Sequence, residues 1–291
     1  MPVMKGITGL LFLLLVLTGM SSVRAQEKIM VFVSILPQKY LVERIGGERV
    51  QVEVMVRPGV NAETYEPSPR QMTALTATDV YFRIGVPFEK IWIKKISSVN
   101  PGLRIIDCCE ELMAERFHAE KDNVEDDDTH IYDAHVWTSP RNALYIGDVI
   151  LKALTALDPA GREYYANNHA LLVQDLNNLD QYIRDLFANL PNRYLVVAHP
   201  SWSYFADDYD LTQVALVRHG VELRPRELAD LVELTRNNKV HTVYIEKQFE
   251  SSAARLLARE INADIVVLDP LAEDYIDNLK KVAQAIVAGG R

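Results

Sequence analysis

The chain has 291 residues, 40 acidic and 31 basic side chains and a formal net charge of −9 at pH 7. This balance argues against proteins that hold nucleic acid or anionic membrane surfaces through a general excess of positive charge. The length is enough for one large domain or two smaller ones.

Residues 1–25 are predicted to form a cleaved secretory signal peptide. Lys5 precedes an apolar run over residues 7–17, and the segment ends in Val23-Arg24-Ala25, with small or short residues at the positions that a signal peptidase reads. The apolar run is shorter than the roughly 20 residues that span a bilayer. The sequence therefore predicts a soluble protein that is exported to the periplasm.

We expect the mature protein to begin at Gln26, because the signal peptidase cleaves after the small residue that ends the predicted leader. N-terminal sequencing of the exported protein measures the cleavage site directly. A mature form that retains residues 1–25 would contradict this prediction.

Eight short runs rich in β-branched residues are predicted to be strands. Several are almost continuously apolar, which is typical of strands buried on both faces of a parallel sheet. Helical patterns alternate with the runs, so we expect an α/β layered fold, and the two groups of four runs predict two α/β lobes with mostly parallel sheets. The runs are Met30–Ile35, Val50–Val56, Asp79–Gly85, Leu103–Cys108, Tyr194–Ala198, Gln213–Val217, Thr242–Glu246 and Asp264–Leu268.

The longest helical pattern lies between the two groups of strands and predicts a rigid helix that connects the lobes. It begins near Pro159 and ends before Pro191. We expect an N-terminal lobe over residues 26–158, the connecting helix over 159–190 and a C-terminal lobe over 191–291. An apolar stripe with helical spacing runs along the helix. It consists of Leu172, Leu176, Leu179, Ile183 and Leu186.

Residues 115–130 have a different composition from the rest of the chain. They contain few apolar residues, and six acidic side chains follow His118. Low apolarity and clustered like charge predict a mobile, solvated loop. Two interpretations stay open: a surface insertion without function, or a loop whose carboxylates, with His118 and His130, bind cations weakly beside a metal site.

The two cysteines of the chain are the neighbours Cys108 and Cys109. Adjacent cysteines can form a disulfide only through a strained ring, and the cysteines of a disulfide framework usually lie far apart in sequence. A soft-metal site would need further thiols that the chain does not contain. We therefore expect two buried residues at the end of a strand.

Three possible metal ligands occur where the chain leaves a strand or a tight turn. His199 and Asp269 each follow a predicted strand directly, and His135 comes soon after the acidic segment. In open α/β sheets, ligands bind at the carboxyl ends of strands, and imidazole with carboxylate suits Zn²⁺ and Mn²⁺. From position alone, both a metal site and structural roles stay open. We interpret His169, His219 and His241 as structural, loop or solvated residues.

Short motifs follow one another in order over residues 30–291. They are Ile35-Leu36-Pro37 with Ile45-Gly46-Gly47-Glu48-Arg49-Val50, Arg57-Pro58-Gly59 with Tyr65-Glu66-Pro67-Ser68-Pro69, His135-Val136-Trp137 with Ser139-Pro140-Arg141-Asn142-Ala143, His199 with Tyr204-Phe205-Ala206, Glu246-Lys247-Gln248-Phe249 with Ser251 and Ser252, and Leu268-Asp269-Pro270-Leu271. Together they resemble the zinc and manganese solute-binding proteins of bacterial ABC importers. Each motif is short, but their number and order make the resemblance specific.

The resemblance implies that His135, His199 and Asp269 bind a metal ion in a cleft between two α/β lobes. The chain departs from the family at Glu63, because the family usually places a histidine two residues before the Tyr-Glu-Pro motif. A carboxylate oxygen can replace an imidazole nitrogen, although its reach and hardness differ. Glu63 therefore either completes a set of two histidines and two carboxylates or points into solvent, with Gln248 or water as substitutes.

The function implied by the resemblance is capture of a divalent cation and delivery to the membrane permease of an ABC importer, without catalysis and by a monomer. Zn²⁺ is the favoured ion. Mn²⁺ is the alternative, because two carboxylates would suit it better.

Two other classes of protein stay open. One is a secreted metal-dependent hydrolase with three protein ligands and a water, although the chain has no HExxH motif. The other is a binding protein for an organic or chelated solute.

Deletion of Lys121–Asp128 is expected to leave the equilibrium affinity for the primary metal within about tenfold, which is 1.4 kcal/mol or less. The deleted residues belong to the predicted mobile loop, so they should affect the capture rate or weak secondary binding more than the primary coordination. Calorimetric titration of the deletion variant measures this affinity. Loss of the primary site in that variant would show that the interpretation is wrong.

Overall fold

The computed structural model describes residues 27–112, 133–218, 221–249 and 251–290. The predicted signal peptide lies outside the described residues, as do the acidic segment 115–130 and His219. Within the described ranges the chain forms two parallel α/β sheets and a long helix, which confirms the predicted fold class.

The N-terminal sheet contains four parallel strands. They are β1 (Ile29–Val33), β2 (Val50–Val54), β3 (Val80–Arg83) and β4 (Arg104–Asp107), in the spatial order β2-β1-β3-β4. The central strands β1 and β3 are almost entirely buried, which explains their continuous apolar runs. On the edge strand β2, exposed side chains alternate with buried or half-buried ones. The helices of this lobe are α1 (Leu36–Gly46), α2 (Pro69–Ala74) and α3 (Pro87–Val99).

Two packed helices follow the N-terminal sheet. The first, α4 (Pro140–Leu157), is joined by a short turn to α5 (Arg162–Phe187). With 26 residues, α5 is about 39 Å long. The first four residues of the predicted apolar stripe are buried, but Leu186 is half-buried and Phe187 occupies the last buried position of the helix.

The C-terminal sheet repeats the architecture of the first. Its strands are β5 (Tyr194–Val197), β6 (Thr212–Ala215), β9 (Thr242–Glu246) and β10 (Asp264–Leu268), in the spatial order β10-β9-β5-β6. Its helices are α6 (Ser203–Asp208), α7 (Pro225–Asn237), α8 (Ser252–Ile261) and α9 (Tyr275–Gly289). Helix α5 packs against α1 of the first lobe and α9 of the second, so it contacts both lobes.

All eight predicted strands are present, but the sequence analysis missed a small antiparallel pair. This pair consists of β7 (Val217–Arg218) and β8 (Val221–Glu222). Two-residue strands are too short to show a period of two, so the sequence pattern gives no signal for them.

Cys108 and Cys109 are fully buried directly after β4, as the sequence predicts. Burial raises the pKa of both thiols above the ordinary value. A raised pKa keeps a thiol protonated, whereas the thiolate is the reactive and metal-binding form. These two residues are therefore suited to packing in the core.

None of the helices in the described part of the chain combines the length and apolar composition that a membrane span requires.

Candidate metal site

Three side chains converge in a cavity between the lobes. Glu63, His135 and His199 each offer one ligand atom, and these atoms all lie within 4.8 Å of one another. Glu63 lies in the loop between β2 and α2, His135 precedes a short 3-10 turn that leads to α4, and His199 follows β5. Among the described residues, Asp269 does not belong to this group.

A local turn fixes the backbone at Glu63. The side-chain oxygen of Asn61 accepts a hydrogen bond of 2.7 Å from the backbone N–H of Glu63. Asparagine commonly bonds a backbone N–H two residues further along, which stabilises a turn without regular secondary structure. The short polar side chain of Asn61 thus holds the start of the loop that presents the Glu63 carboxylate.

His135 is oriented by a neighbouring aspartate. Asp133 Oδ1 lies 2.7 Å from His135 Nδ1 and also accepts a hydrogen bond of 2.9 Å from the His135 backbone N–H. Burial raises the pKa of Asp133, but hydrogen bonds from His135 and Ser203 outweigh it and hold the pKa below 3.8. An ionised carboxylate only accepts hydrogen bonds, so this contact favours a proton on Nδ1, which leaves the lone pair of Nε2 for a metal ion.

The imidazole of His199 is buried and held by aromatic contacts. Its ring stacks on Phe249, with centroids 4.1 Å apart and an interplanar angle of 10°. The His135 ring approaches edge to face, with a centroid distance of 5.3 Å. His199 Nε2 lies 3.1 Å from Glu63 Oε1, yet it is buried and has no partner with hydrogen-bond geometry. The interaction with His199 is the main reason that the pKa of Glu63 is lowered from 4.5.

Asp269 follows β10, where the sequence places it, but its carboxylate has other partners. Oδ1 accepts hydrogen bonds of 3.0 Å from Gln248 Nε2 and of 3.0 Å from the Leu271 backbone N–H. Oδ2 lies 3.4 Å from Nζ of the exposed Lys247. The side chain therefore takes part in a network at the edge of the cavity.

The cavity has a volume of about 700 Å³, and both lobes contribute to its walls. It is lined by the three clustered side chains and by others that include Asn61, Val86, Pro87, Asp133, Trp137, Glu246, Gln248, Phe249 and Leu271. Glu246 is only 5 % exposed, and burial raises its pKa to about 7.

Three buried polar atoms around this cavity lack hydrogen-bond partners within the described ranges. They are His199 Nε2, Glu246 Oε1 and Gln248 Oε1. A buried polar atom without a partner is costly, so each one indicates a missing ligand or water. All three can donate a lone pair or accept a hydrogen bond, which suits a cation or its water ligands.

Sequence reasoning missed Asp133, Glu246 and Phe249 as parts of this site. A signal for Asp133 was present, because an aspartate two residues before a histidine can form this type of turn. His169 is half-buried, with its Nε2 3.1 Å from Oδ1 of the exposed Asp148, and His241 is exposed. Neither belongs to the donor cluster found among the described residues.

The fold and the site together define a solute-binding protein whose solute is a metal ion, with two α/β lobes, a connecting helix and metal-donor side chains in the cavity between the lobes. The chain belongs to the family of the periplasmic zinc-uptake complex component A, whose sequence profile matches residues 31–289. It is a metal-binding component of an ABC uptake system and not an enzyme. The hydrolase alternative is therefore wrong.

Individual relatives agree with this assignment. A putative metal-binding protein of Chlamydia muridarum is 30 % identical over 256 residues, which cover 88 % of this chain and 89 % of the relative. A manganese-binding lipoprotein, MntA of Halalkalibacterium halodurans, is 25 % identical over 94 % of this chain and 91 % of its own length. The crystal structure of ZnuA matches with a TM-score of 0.83 and 35 % identity, over 91 % of this chain and all of that one.

Proposed function

We propose that this protein captures Zn²⁺ in the periplasm and delivers it to the membrane permease of an ABC importer. The ion is bound by Glu63, His135 and His199, with Asp269 as the candidate fourth ligand. One observation carries this proposal: donor atoms of the first three residues lie within 4.8 Å of one another in a cavity between the lobes.

The geometry of the donor cluster supports a small cation. Zn–N and Zn–O bonds of about 2.0–2.1 Å at a near-tetrahedral angle place two ligand atoms about 3.3 Å apart. Glu63 Oε1 and His199 Nε2 are 3.1 Å apart, which is close to this spacing. Small side-chain movements would bring the remaining pairs, now within 4.8 Å, to the same separation.

The two oxygens of Asp269 differ in how strongly they are engaged by other groups. Oδ1 accepts two hydrogen bonds, whereas Oδ2 faces the mostly exposed side chain of Lys247, whose Nζ lies 3.4 Å away. Coordination through Oδ2 would therefore cost a weak, solvent-screened ion pair and would keep the bonds to Oδ1. Oδ2 is therefore the oxygen of Asp269 that we expect to coordinate the ion.

Zn²⁺ is the favoured ion because two imidazoles and a carboxylate resemble its usual ligand sets. The zinc-uptake description of the family supports the same choice. Mn²⁺ is the alternative, since a second carboxylate would add a harder ligand and a manganese-binding lipoprotein is among the relatives. The periplasmic location rests on the predicted signal peptide and on the family description.

Metal analysis of the exported protein tests the proposed function. The protein is purified without chelators and without a metal-affinity tag, and its metal content is measured by mass spectrometry. We expect about one zinc ion per chain, and competition titrations with Zn²⁺ and Mn²⁺ should show preference for Zn²⁺. Preference for Mn²⁺ would support the alternative ion, and absence of tight binding for either ion would overturn the proposal.

A further inference from the structure

The segment that carries His135 is hydrogen-bonded to the C-terminal half of the chain. We refer to residues 133–139 as the His135 segment. Trp137 Nε1 donates a hydrogen bond of 2.7 Å to the backbone oxygen of Pro270. The hydroxyl of Tyr275 donates one of 2.7 Å to the backbone oxygen of Trp137. The sequence assigns this segment to the N-terminal lobe, yet these bonds join it to the loop after β10 and the start of α9.

Asp133 forms the link closest to the candidate metal site. Its Oδ1 accepts hydrogen bonds from the backbone N–H and from Nδ1 of His135. Its Oδ2 accepts a hydrogen bond from Ser203 Oγ, and its backbone oxygen accepts one of 3.2 Å from the hydroxyl of Tyr204. Asp133 thus connects the His135 imidazole to the first two residues of α6.

The hydrogen bond between Asp133 and Ser203 also connects His135 to His199, because the two residues His199 and Ser203 are close in sequence. Helix α6 begins at Ser203, four residues after His199. Two buried residues of the intervening stretch, Ser201 and Trp202, are almost inaccessible to solvent, and the Trp202 backbone N–H donates a hydrogen bond of 2.8 Å to Gln213 Oε1. The segment between His199 and Ser203 is therefore itself anchored.

We propose that Asp133 is a positioning residue that holds His135 in the Nδ1–H tautomer and at a fixed spacing from His199 before any metal binds. This inference rests on the proposed function, because it concerns the same two imidazoles. Asp133 binds no metal in this arrangement, since both of its oxygens are engaged by His135 and Ser203. Its role is to order the two imidazoles in advance, so that less free energy is spent on ordering them when the ion arrives.

Glu63 is held less firmly than the two histidines and approaches the site from the other side of the cavity. The two imidazoles are joined through the Asp133–Ser203 hydrogen bond, whereas Glu63 lies on a loop of the N-terminal lobe. The Glu63 side chain is also the most exposed of the three, at 34 % against 16 % for His135 and 8 % for His199. The histidine pair is thus the fixed part of the site, and Glu63 is the ligand supplied across the cavity.

Three variants of the full exported chain test the role of Asp133. Asp133→Asn removes the charge with little change in shape. Ser203→Ala removes the second anchor of Asp133 without altering Asp133 or a ligand, and it keeps the test valid if Asp133→Asn fails to fold. Asp158→Asn is the matched control, because Asp158 is a carboxylate of similar exposure that binds Arg49 and Tyr165 at the other end of α4.

Two measurements are made on each variant. Long-range ¹H–¹⁵N NMR spectra of the metal-free protein identify the His135 tautomer. If Asp133 only stabilised the fold, its substitution would not change this tautomer. Calorimetric titration with Zn²⁺ and with Mn²⁺ gives the affinity. We expect the Nδ1–H tautomer in the wild type and the control, and loss of this preference in Asp133→Asn. Asp133→Asn should also bind the metal about 10–100-fold more weakly, as is common when the outer partner of a histidine ligand is removed. Ser203→Ala should weaken binding by a smaller factor.

The proposal is overturned if metal-free wild type carries the His135 proton on Nε2, or if both variants bind as tightly as the control. Failure of the proposed function gives a different result. In that case neither Zn²⁺ nor Mn²⁺ binds tightly to the wild type, while the tautomer spectra still report whether Asp133 orients His135.

Discussion

Alanine in place of His135 or of His199 is expected to abolish tight binding of the divalent cation and to leave the fold intact. Each substitution removes one of the two nitrogen donors in the cluster of three. The loss should exceed the roughly 100-fold that removal of an outer-shell partner can cost, because a direct metal bond disappears. Isothermal titration with Zn²⁺ and Mn²⁺ measures the affinity, and circular dichroism monitors the fold.

The fold should tolerate both substitutions for reasons visible in the site. The Glu63 carboxylate lies 3.1 Å from His199 Nε2, and Glu63 is partly exposed, so solvent can replace the lost imidazole. Loss of the His135 side chain leaves Asp133 with the backbone N–H of residue 135 and with Ser203. His241→Ala, at an exposed position, is the matched control and should bind like the wild type. Unchanged binding in both site variants would rule out the metal-site assignment.

Acidification should weaken metal binding through these same two histidines. A protonated imidazole has no lone pair for a metal ion, so protons and the metal compete for Nε2. The pKa of Glu63 is lowered from its ordinary value, chiefly by its interaction with His199, so this carboxylate stays charged further into the acid range than an ordinary glutamate does. The affinity should therefore fall as the pH is lowered, and calorimetric titration with Zn²⁺ at several pH values measures this fall.

The sequence predicted the architecture well because its signals are local. Continuous apolar runs such as that of β3 occur only where both faces of a strand are buried, and the stripe on α5 shows a helical period over many turns. The last buried residue of α5 was less predictable. Leu186 was expected in this position, but Phe187 occupies it, because the buried face at the helix end depends on the surface that packs beside it. Periodicity contains no information on that neighbour.

The candidate site was predictable in part. The strand order of a parallel sheet places His199 and Asp269 at its carboxyl edge, and the motif resemblance pointed to His135. The 3.1 Å approach of Glu63 to His199 could not be derived in this way, because it depends on how the two lobes face each other. The engagement of Asp269 by Gln248 and Leu271 likewise arises from the conformation of two loops that lack a repeating pattern.

Glu63→Ala is expected to cost affinity on a scale that approaches the histidine variants. The reason is geometric, because Glu63 Oε1 lies 3.1 Å from His199 Nε2 and belongs to the cluster of three donors. The carboxylate also supplies negative charge to a cavity in which the two imidazoles are neutral ligands. Glu66→Ala is the matched control: Glu66 is an exposed carboxylate on the same loop and lies outside the donor cluster, so its removal should have little effect.

Glu63→His restores the histidine that the family usually has at this position and separates the two roles that the sequence left open for Glu63. If the carboxylate is a ligand, the exchange of a hard oxygen for an imidazole nitrogen should shift preference from Mn²⁺ toward Zn²⁺, while Glu63→Ala weakens binding of both ions. If Glu63 is solvated instead, Glu63→Ala is nearly silent and Glu63→His simply tightens Zn²⁺ binding. Titration of the wild type and these variants with each ion, with the fold checked by circular dichroism, measures the difference. We expect the first pattern, because the buried and unpartnered Nε2 of His199 lies directly beside the Glu63 carboxylate, where a single ion can contact both.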